Sequence, residues 1–436
     1  MKILRGRVLS FKDAPASHED TSCYVYHEDG CVVVVDDTII GMGDYAGLAK
    51  QFDDGEIIDH RPHLILPGLI DTHMHFPQMQ VIASFGTKLL EWLNRYTFVE
   101  EQKFGDRDHC VRIANQLFDT FLRHGTTTAV AYCSVHKTSA DVFFEEAEQR
   151  NLRMIAGKVM MDRNAPEGLL DTPQSGYDDS KALIETWHGR GRASYAISPR
   201  FAITSTPEQL EATQSLLKEH PDCYLQTHLS ENDAEIELTK QLYPKAHDYL
   251  DVYEHYELLG HKSLFGHAIH LSEREKAAMA ESGSVAVFCP TSNLFLGSGL
   301  YDFDGLRANG VRTAVATDTG GGTSYSMLRT LDEAYKVLQL RNQVLNPLHS
   351  FYWMTLGNAR ALSLEDKIGT LDVGTEADIV VLNARSRPEM ALRMETVETL
   401  SEELFLLQTL GDDRAAVETY VAGEASSRNS LFLKST

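Results

Sequence analysis

The sequence predicts an α/β protein, a (β/α)8 TIM-type barrel with a small β-sandwich domain formed from both chain ends. Two observations predict the barrel: eight short apolar runs rich in β-branched residues, and charged stretches of helical character between many of them. Continuous apolar runs fit parallel strands that are buried on both faces. The eight runs are Leu64–Ile70, Thr127–Tyr132, Met154–Met160, Ser194–Ile197, Cys223–Thr227, Ser263–Phe265, Ser284–Phe288 and Arg312–Ala316. The helical stretches include Arg107–Arg123, Ala140–Gln149, Pro207–His220 and Ser272–Ala280.

A third observation, the β-rich character of both chain ends, predicts the small domain. Near the start, short apolar runs are separated by the turn-forming pairs Asp29-Gly30 and Asp36-Asp37, a pattern typical of hairpins. We expect strands at Lys2–Phe11, Cys23–His27, Cys31–Val35 and Thr38–Met42, and late strands at Ala377–Leu382 and Thr419–Ala422. The chain therefore divides into residues 1–66 plus 371–436, the small domain, and residues 67–370, the barrel.

The stretch Arg385–Arg414, which precedes the last predicted strand, has helical character. Its leucines recur at Leu400, Leu404, Leu407 and Leu410, a spacing that places them on one face of a helix. That face is suited to packing either on the body of the protein or on a second subunit.

The composition restricts the partners of the protein. The formal net charge of the 436-residue chain is −23, from 63 acidic and 40 basic side chains. Such an acidic surface repels phosphate backbones and anionic lipid headgroups, so neither nucleic acid nor a membrane is an expected partner. The six cysteines contain no Cys-x-x-Cys pair, and no run approaches ~18 apolar residues. These features predict a soluble protein of the cytoplasm.

The functional groups of such a barrel lie at the carboxyl ends of its strands, so the residues that follow each run are informative. The first run leads into His73-Met74-His75, whose two imidazoles share one side of a strand because side chains alternate with period two. His228 follows the fifth run, and Asp318 follows the eighth. Three imidazole nitrogens and a carboxylate oxygen, with one position left for water, suit a catalytic zinc ion. The sequence therefore predicts a single divalent metal ion, with zinc favoured.

Further groups at these strand ends predict acid–base chemistry. Glu231, three residues beyond His228, is placed to take a proton from water and return it to a substrate nitrogen. His267, after the sixth run, either ligates the metal or polarises the attacking oxygen from beside it. Asp318 could both ligate the metal and accept a proton. Because a metal ion lowers the pKa of bound water from about 15.7 to about 7, we expect a hydroxide that hydrolyses a C–N bond.

Other residues near the strand ends are assigned no role in the chemistry. His136 and His270 each lie a few residues past a strand end, and we expect neither to bind metal. The glycines Gly320–Gly322 lack the Lys-Ser/Thr partner of a phosphate loop, so we expect a tight turn beside the site.

Four short motifs resemble the amidohydrolase superfamily. They are P-G-L-I-D-T-H-M-H (Pro67–His75), H-L-S-E (His228–Glu231), G-H (Gly266-His267) and A-T-D (Ala316–Asp318). With E-A-D-I-V-V-L (Glu376–Leu382), where such enzymes return to the small β domain, the resemblance spans most of the chain. It implies zinc held by His73, His75, His228 and Asp318, His267 at or beside the metal, and Glu231 as the proton shuttle.

Within that superfamily, five stretches resemble the guanine deaminase subgroup. They are F-P-Q (Phe76–Gln78), L-L-E-W-L-N-R-Y-T-F (Leu89–Phe98), K-V-M-M-D-R-N-A-P (Lys158–Pro166), S-P-R-F (Ser198–Phe201) and C-P-T-S-N-L-F-L-G-S-G (Cys289–Gly299), the last being common among related deaminases. The resemblance implies hydrolytic deamination of guanine to xanthine and ammonia in guanine catabolism. It also implies a homodimer.

The chemistry of guanine suggests which side chains bind it. Its O6 and N7 atoms are adjacent acceptors that suit the planar fork of Arg200, with Phe201 stacking on the purine or walling it. Gln78 carries an amide that donates and accepts, which fits the N3/N9 edge. His228 and Glu231 are expected to contact the purine as well as to perform the chemistry.

Three alternatives differ in substrate, metal count or activity. A deaminase of another heterocycle, such as 8-oxoguanine, a pterin or a triazine, would share the metal site. A binuclear cyclic amidase would carry a carboxylated lysine at the end of the fourth strand, where this chain has Pro199-Arg200, so one metal is favoured. A catalytically silent metabolite-binding barrel is disfavoured because every predicted ligand and the acid/base residue are present.

Overall fold

Two β-sheets organise the protein. The computed structural model describes residues 1–86 and 88–426. The strands of this part of the chain are β1 (Lys2–Phe11), β2 (Tyr24–Val35), β3 (Thr38–Asp44), β4 (Glu56–Pro67), β5 (Leu69–His75), β6 (Thr126–Tyr132), β7 (Arg153–Gly157), β8 (Val159–Met160), β9 (Ser194–Pro199), β10 (Tyr224–Leu229), β11 (Ser263–His267), β12 (Val285–Phe288), β13 (Arg312–Val315), β14 (Ile379–Leu382), β15 (Ala416–Val421) and β16 (Glu424–Ala425).

The central sheet is a nearly closed parallel barrel. Its strand order is β5-β6-β7-β9-β10-β11-β12-β13, and the two-residue strand β8 pairs with β9 beside it. The barrel closes just beyond β13, where the Asp318 amide donates to the His73 carbonyl at 2.9 Å and the His75 amide donates to the Thr319 carbonyl at 2.7 Å. The TIM-type barrel predicted from the eight apolar runs is confirmed.

Helices surround the barrel and connect its strands. The α-helices of the described chain are α1 (Tyr45–Gln51), α2 (Leu89–Trp92), α3 (Phe98–Glu101), α4 (Arg107–His124), α5 (Lys137–Gln149), α6 (Pro173–Trp187), α7 (Pro207–Glu219), α8 (Asp233–Leu242), α9 (Tyr249–His255), α10 (Glu273–Ser282), α11 (Pro290–Phe295), α12 (Phe303–Ala308), α13 (Met327–Leu340), α14 (Pro347–Tyr352), α15 (Asn358–Ala361), α16 (Pro388–Arg393) and α17 (Leu400–Leu410). A π-helical turn, Leu93–Thr97, joins α2 to α3.

Helix α4 shows how the local sequence sets the ends of these helices. The Asp106 side chain accepts a hydrogen bond from the His109 amide at the first turn, which satisfies a donor that has no partner within the helix. The helix ends at Gly125, whose φ of 80° lies in the left-handed region that glycine tolerates. A Cβ atom at Gly125 would also lie 2.6 Å from Val380, so the close approach of the small sheet requires glycine here.

The second sheet contains strands from both ends of the chain. Its order is β16-β15-β14-β4-β1-β2-β3, with β1 and β4 parallel and the remaining neighbours antiparallel. The predicted association of the two chain ends is therefore confirmed. The exact division into residues 1–66 plus 371–436 and residues 67–370 stays a prediction, and its last part, residues 427–436, lies outside the described chain.

The predicted turn at Asp29-Gly30 is wrong. Strand β2 runs without interruption through this pair, and Gly30 lies opposite Gly6 of β1 at a β-bulge where the register shifts. A Cβ atom at Gly30 would approach that of His27 to 2.6 Å and Val8 to 3.0 Å, so the glycine serves a close approach within the sheet. The other predicted turn, Asp36-Asp37, is present between β2 and β3.

The predicted first barrel strand, Leu64–Ile70, is also wrong in its boundaries. Its first residues belong to β4 of the small sheet, where Leu64 pairs with Leu382 of β14. The barrel strand β5 begins only at Leu69, so the two histidines of the His-x-His motif lie within a strand rather than after it. The chain passes from one sheet to the other at Gly68, where a Cβ atom would lie 2.2 Å from the Thr127 hydroxyl oxygen. One apolar run therefore serves two sheets.

The late helical stretch packs on the body of the protein. Leu404 and Leu407 of α17 are fully buried in the core beside α13 and α14. The Gln408 amide donates to the Leu331 carbonyl of α13 at 3.1 Å. Among the described residues, no helix combines the length and apolar composition that crossing a membrane requires.

A partly buried ionic network joins the small sheet to the amino-terminal end of the barrel. Arg153 and Arg192 donate through their Nε atoms to the Glu376 carboxylate at 2.8 Å and 3.0 Å. Arg192 also pairs with Asp378. Burial alone would raise the pKa of Glu376, but the two arginines outweigh this effect and lower it. The network therefore requires a charged carboxylate at this position.

Replacing Glu376 with Gln is expected to lower the free energy of unfolding by roughly 3 kcal/mol at neutral pH, because Arg153 loses its counter-charge and Arg192 keeps only that of Asp378. The lowered pKa makes this contribution complete above the ordinary carboxyl pKa and lost as pH falls through the folded-state value. Urea unfolding at several pH values should therefore show a difference from wild type that shrinks in acid. Glu254→Gln, which breaks an exposed pair with Arg274, should change stability little. A difference that is independent of pH would contradict this account.

Candidate active site

Four predicted metal ligands from distant parts of the chain lie together at the carboxyl end of the barrel. The Nε2 atoms of His73 and His75 each lie 3.4 Å from one oxygen of Asp318. The Nε2 atom of His228 lies 3.1 Å from that of His75. All four side chains are buried. The structure thus brings together every residue of the predicted His73, His75, His228 and Asp318 set.

The protonation states of these imidazoles fit a divalent cation. His228 Nδ1 lies 2.7 Å from the Arg200 carbonyl, which can only accept, so the proton is on Nδ1 and the lone pair of Nε2 faces the cluster. His73 Nε2 is buried and has no hydrogen-bond partner among the described residues. Burial, reinforced by neighbouring histidines, lowers the pKa of His75 and His228 well below the ordinary value. Neutral imidazoles with lone pairs aimed at one point are what a metal site requires.

A cysteine that the sequence did not indicate also lies beside this cluster. Ligand atoms of His73, His267, Cys289 and Asp318 form a second group within 4.8 Å of one another, besides that of His73, His75 and His228. Burial raises the pKa of the Cys289 thiol well above its ordinary value. The imidazoles and the carboxylate remain the predicted donor set.

Backbone geometry holds Asp318 in place. Its φ of 48° lies in the left-handed region, and its amide donates to the His73 carbonyl. The following glycines form the predicted tight turn, in which the Gly322 amide donates to the Asp318 carbonyl at 2.6 Å. A Cβ atom at Gly322 would lie 1.9 Å from the Thr317 carbonyl oxygen, so no larger residue fits. Positive φ values at a non-glycine residue cost about 1–3 kcal/mol and persist where the surroundings impose them.

A buried carboxylate couples β5, which carries His73 and His75, to the segment after β13, which carries Asp318. Asp71, on β5, accepts hydrogen bonds from the Thr317 amide at 3.0 Å, from the Thr317 hydroxyl and from the His73 amide at 3.3 Å. Burial raises the pKa of Asp71 to about 6 despite these bonds. The sequence placed Asp71 in a motif but gave it no role.

Glu231 and His267 face each other next to the cluster. His267 Nε2 lies 3.3 Å from Glu231 and 3.8 Å from Asp318. Burial, together with the charges of Glu235 and Asp318, raises the pKa of Glu231 well above its ordinary value. The hydroxyl of Ser298 donates to the other Glu231 oxygen at 2.9 Å. A carboxyl group held neutral by its surroundings can act as a general acid.

A cavity opens onto the cluster and contains the predicted substrate-binding residues. Gln78, Arg200 and Phe201 all line it, together with His228 and Glu231. The remaining lining residues are His75, Leu89, Trp92, Leu93, His267, Ser292, Leu296, Asp318 and Gly321. The apolar members form a wall that suits a flat ring. Trp92 and Leu93 belong to a stretch that supported the family resemblance, but the sequence assigned them no contact.

Glu101 is the polar residue of this region that sequence reasoning missed. It is 1% exposed and ends helix α3. Its two oxygens accept hydrogen bonds from the Gln78 amide at 2.9 Å and from the Arg200 guanidinium at 2.7 Å. Glu101 lies in a charged helical stretch just outside the motifs, where no local pattern distinguishes it from a solvated residue.

The two histidines expected not to bind metal lie outside both candidate ligand groups. His270 Nε2 contacts the Ser298 carbonyl at 2.9 Å, so it supports the loop that holds Glu231. His136 is half-buried, and burial lowers its pKa.

Comparison with known proteins agrees with this site. Residues 64–425 match the amidohydrolase family. The guanine deaminase of Escherichia coli is 44% identical over 425 residues, which cover 97% of each chain. The solved E. coli guanine deaminase structure superposes with a TM-score of 0.96 at 43% identity and covers 98% of this chain and 99% of its own. A guanine deaminase structure from C. acetobutylicum, with guanine bound in the active site, gives a TM-score of 0.87 at 27% identity over 97% of this chain and 99% of its own.

Replacing His75 with Asn is expected to weaken the binding of a divalent metal by more than about a hundredfold, because it removes a donor from the centre of the cluster. Metal analysis of dialysed protein, followed by titration of the stripped protein, measures this loss. His136→Asn, outside the cluster, should retain the wild-type metal content. Equal metal content in all three proteins would place the ion elsewhere.

Proposed function

The chain belongs to the amidohydrolase family, and we propose that it is a guanine deaminase, which converts guanine and water to xanthine and ammonia. One observation carries the proposal: a single cavity joins the His73, His75, His228 and Asp318 cluster and the buried carboxyl group of Glu231 to a polar wall made by Arg200 and Gln78. The 44% identity with the E. coli guanine deaminase, over nearly the whole of both chains, supports the same activity.

We propose one zinc ion per chain, held by His73, His75, His228 and Asp318. When bound, it would supply Lewis-acid activation of a water molecule. The lone pair of His228 is directed at the cluster by the hydrogen bond from Nδ1 to Arg200, so the protein fixes the ligand geometry in advance. Three imidazoles and a carboxylate are the donors that zinc accepts with an open position.

Glu231 moves the protons of the reaction. It delivers its proton to N3 of guanine as water adds to C2, and it takes a proton from that water. It then passes this proton to the amino group on C2, and the C2–N bond breaks as ammonia leaves. The hydroxyl proton that remains on C2 returns to Glu231 as ammonia leaves, so Glu231 regains the proton that it gave to N3. Over one cycle water thus supplies the hydrogens gained by N3 and by ammonia, and its oxygen becomes the C2 carbonyl of xanthine. Ser298 holds one Glu231 oxygen, which directs the other toward His267 and the cavity.

His267 and Asp318 complete the catalytic set. His267 Nε2 lies between the carboxylates of Glu231 and Asp318, at 3.3 Å and 3.8 Å. We assign it the task of holding the attacking oxygen beside the metal ligands. Asp318 acts as a second proton acceptor while it ligates the metal.

The purine is held by three residues of the cavity wall. Arg200 presents its fork to the O6 and N7 acceptors of guanine. Phe201, 4% exposed with its ring 6.2 Å from that of His228, packs against the purine next to the metal ligands. Gln78 binds the N3/N9 edge. An apolar wall with few polar groups fixes the ring in one orientation.

The cellular setting follows from the sequence and the family. We propose a cytoplasmic homodimer that acts in guanine catabolism, with no nucleic acid or membrane partner. The net charge of −23 and the six buried free cysteines are consistent with that setting.

Purified protein is expected to release ammonia from guanine with a specificity constant at least about a hundredfold higher than from 8-oxoguanine, a pterin or a triazine. A site built to hydrogen-bond one substrate leaves its polar groups unpaired with an analogue. Treatment with a chelator should abolish the activity, and zinc should restore it. If another heterocycle is preferred, that heterocycle is the substrate instead of guanine. If the metal-loaded protein releases ammonia from none of these compounds, the proposed deaminase activity is refuted.

Glu231→Gln is expected to keep the metal and to lose turnover by about a hundredfold to ten-thousandfold, because it removes the group that moves the protons. Steady-state kinetics and metal analysis of the same preparation measure the two effects. Glu275→Gln, which replaces a buried carboxylate outside the cavity, should leave turnover near wild type. Wild-type turnover in the Glu231 variant would overturn its assignment.

A further inference from the structure

We propose that Glu101 is a positioning residue that makes the enzyme specific for the free purine base over bases substituted at N9. The inference rests on the proposed guanine deaminase function. Glu101 acts through Gln78 and Arg200, and it fixes which atoms these two side chains present to the cavity.

The contacts of Glu101 place it at the junction of both substrate-binding side chains. Gln78 Nε2 donates to Oε1 at 2.9 Å, and Arg200 Nη1 donates to Oε2 at 2.7 Å. The carboxylate is 1% exposed, so solvent does not compete for these bonds. The Ser134 hydroxyl donates to the Glu101 carbonyl at 3.0 Å, which anchors the end of helix α3. Glu101 is thus held from both its backbone and its side chain.

The chemistry of a carboxylate determines the orientation of the Gln78 amide. An ionised carboxylate only accepts hydrogen bonds, so the amide group that faces Glu101 must be the NH2 group. The opposite orientation would place two acceptors together in a buried site and leave both without a donor, which is unfavourable. The carbonyl oxygen of Gln78 therefore points away from Glu101 and remains available to the cavity that Gln78 lines.

An acceptor at this position recognises a donor on the substrate. Free guanine carries an N–H group at N9, on the edge assigned to Gln78, whereas a base substituted at N9 has no donor there. A buried acceptor left without its donor penalises the substituted base. A glutamine amide can in general bind either a donor or an acceptor. With its orientation fixed by Glu101, Gln78 binds only a hydrogen-bond donor on the substrate.

The same carboxylate orients Arg200. Glu101 accepts a hydrogen bond only from Nη1 of Arg200. Among the described residues, Nε and Nη2 of Arg200 have no hydrogen-bond partner. Phe98 lies beneath the guanidinium, with its ring centre 5.4 Å from the central carbon. The charge of Arg200 is balanced by Glu101, and its remaining donors are free for the two acceptors of guanine. One buried carboxylate therefore sets both recognition edges.

The test compares guanine with 9-methylguanine, in which a methyl group replaces the hydrogen on N9; the Gln78→Ala variant below separates the lost donor from the added bulk. In wild type we expect guanine to be favoured by at least about a hundredfold in kcat/KM. Glu101→Gln preserves shape but lets position 101 donate, so the Gln78 amide can turn its NH2 group to the cavity. We expect this variant to lose about tenfold or more in kcat/KM for guanine, mainly through KM, and to lose about tenfold in discrimination against 9-methylguanine.

Two controls separate positioning from a general structural effect. Glu403→Gln breaks another buried carboxylate–guanidinium pair, with Arg7, far from the cavity, and should leave the discrimination at the wild-type value. In a Gln78→Ala background the discrimination is already lost, so adding Glu101→Gln should reduce it no further. Metal content should be that of wild type in every variant.

The outcomes distinguish this inference from the function on which it rests. Wild-type protein that does not deaminate guanine would refute the function itself. Active wild type with undiminished discrimination in Glu101→Gln would overturn only the role of Glu101. If Glu101→Gln does not fold, Glu101→Asp, which is too short to reach both partners, takes its place with the same expected loss of discrimination.

Discussion

The active site depends on the closure of the barrel between β5 and the chain that follows β13. Here the Asp318 amide donates to His73 and the His75 amide donates to Thr319, while buried Asp71 binds Thr317. These bonds join segments about 240 residues apart in sequence, as the Asp71–Thr317 separation of 246 shows. Because they fix the backbone of both ligand-bearing segments, the carboxylate of Asp318 has to lie against the two imidazoles of β5. The parallel strands between them bring His228 to the same point.

Burial then determines the charge of each group in the cluster. It lowers the pKa of His75, His228 and His267, and it raises the pKa of Glu231. The same burial therefore favours the neutral form of the imidazoles, which a cation requires, and the neutral form of the Glu231 carboxyl group, which can then donate a proton. Burial alone thus favours both the protonation state for metal binding and that for proton transfer.

In the proposed function, the residues that bind the purine differ from those that hold the metal, and Arg200 contacts both groups. Its side chain pairs with Glu101, and its backbone carbonyl accepts a hydrogen bond from Nδ1 of His228. In the proposed function, Arg200 therefore contributes to substrate binding through its guanidinium and to the orientation of a proposed metal ligand through its backbone. A substitution at Arg200 that moves the backbone would disturb both substrate binding and the orientation of His228. A substitution at Glu101 would disturb the side chains that bind the substrate.

The sequence by itself determined the barrel, the association of the chain ends, and the residues that gather at the candidate metal site. These features depend on local regularities: apolar runs of strand length, period-two alternation in His73-Met74-His75, and polar residues at strand ends. Its errors arose where one apolar run, Leu64–Ile70, served two sheets, and where Gly30 occupied a bulge instead of a turn. A pattern of apolar residues indicates that a segment is buried, but it does not indicate in which sheet the segment lies.

Only the tertiary structure decided the partners of the recognition residues. Glu101 lies 99 residues from Arg200 in sequence, and no spacing rule connects a helical carboxylate to a strand-end guanidinium. The closeness of His267 to Glu231 and the hold of Ser298 on that carboxyl were likewise decided by the fold. Such contacts depend on how separate elements pack. The sequence shows the chemistry of each side chain, but it does not show the distance between two side chains that are far apart along the chain.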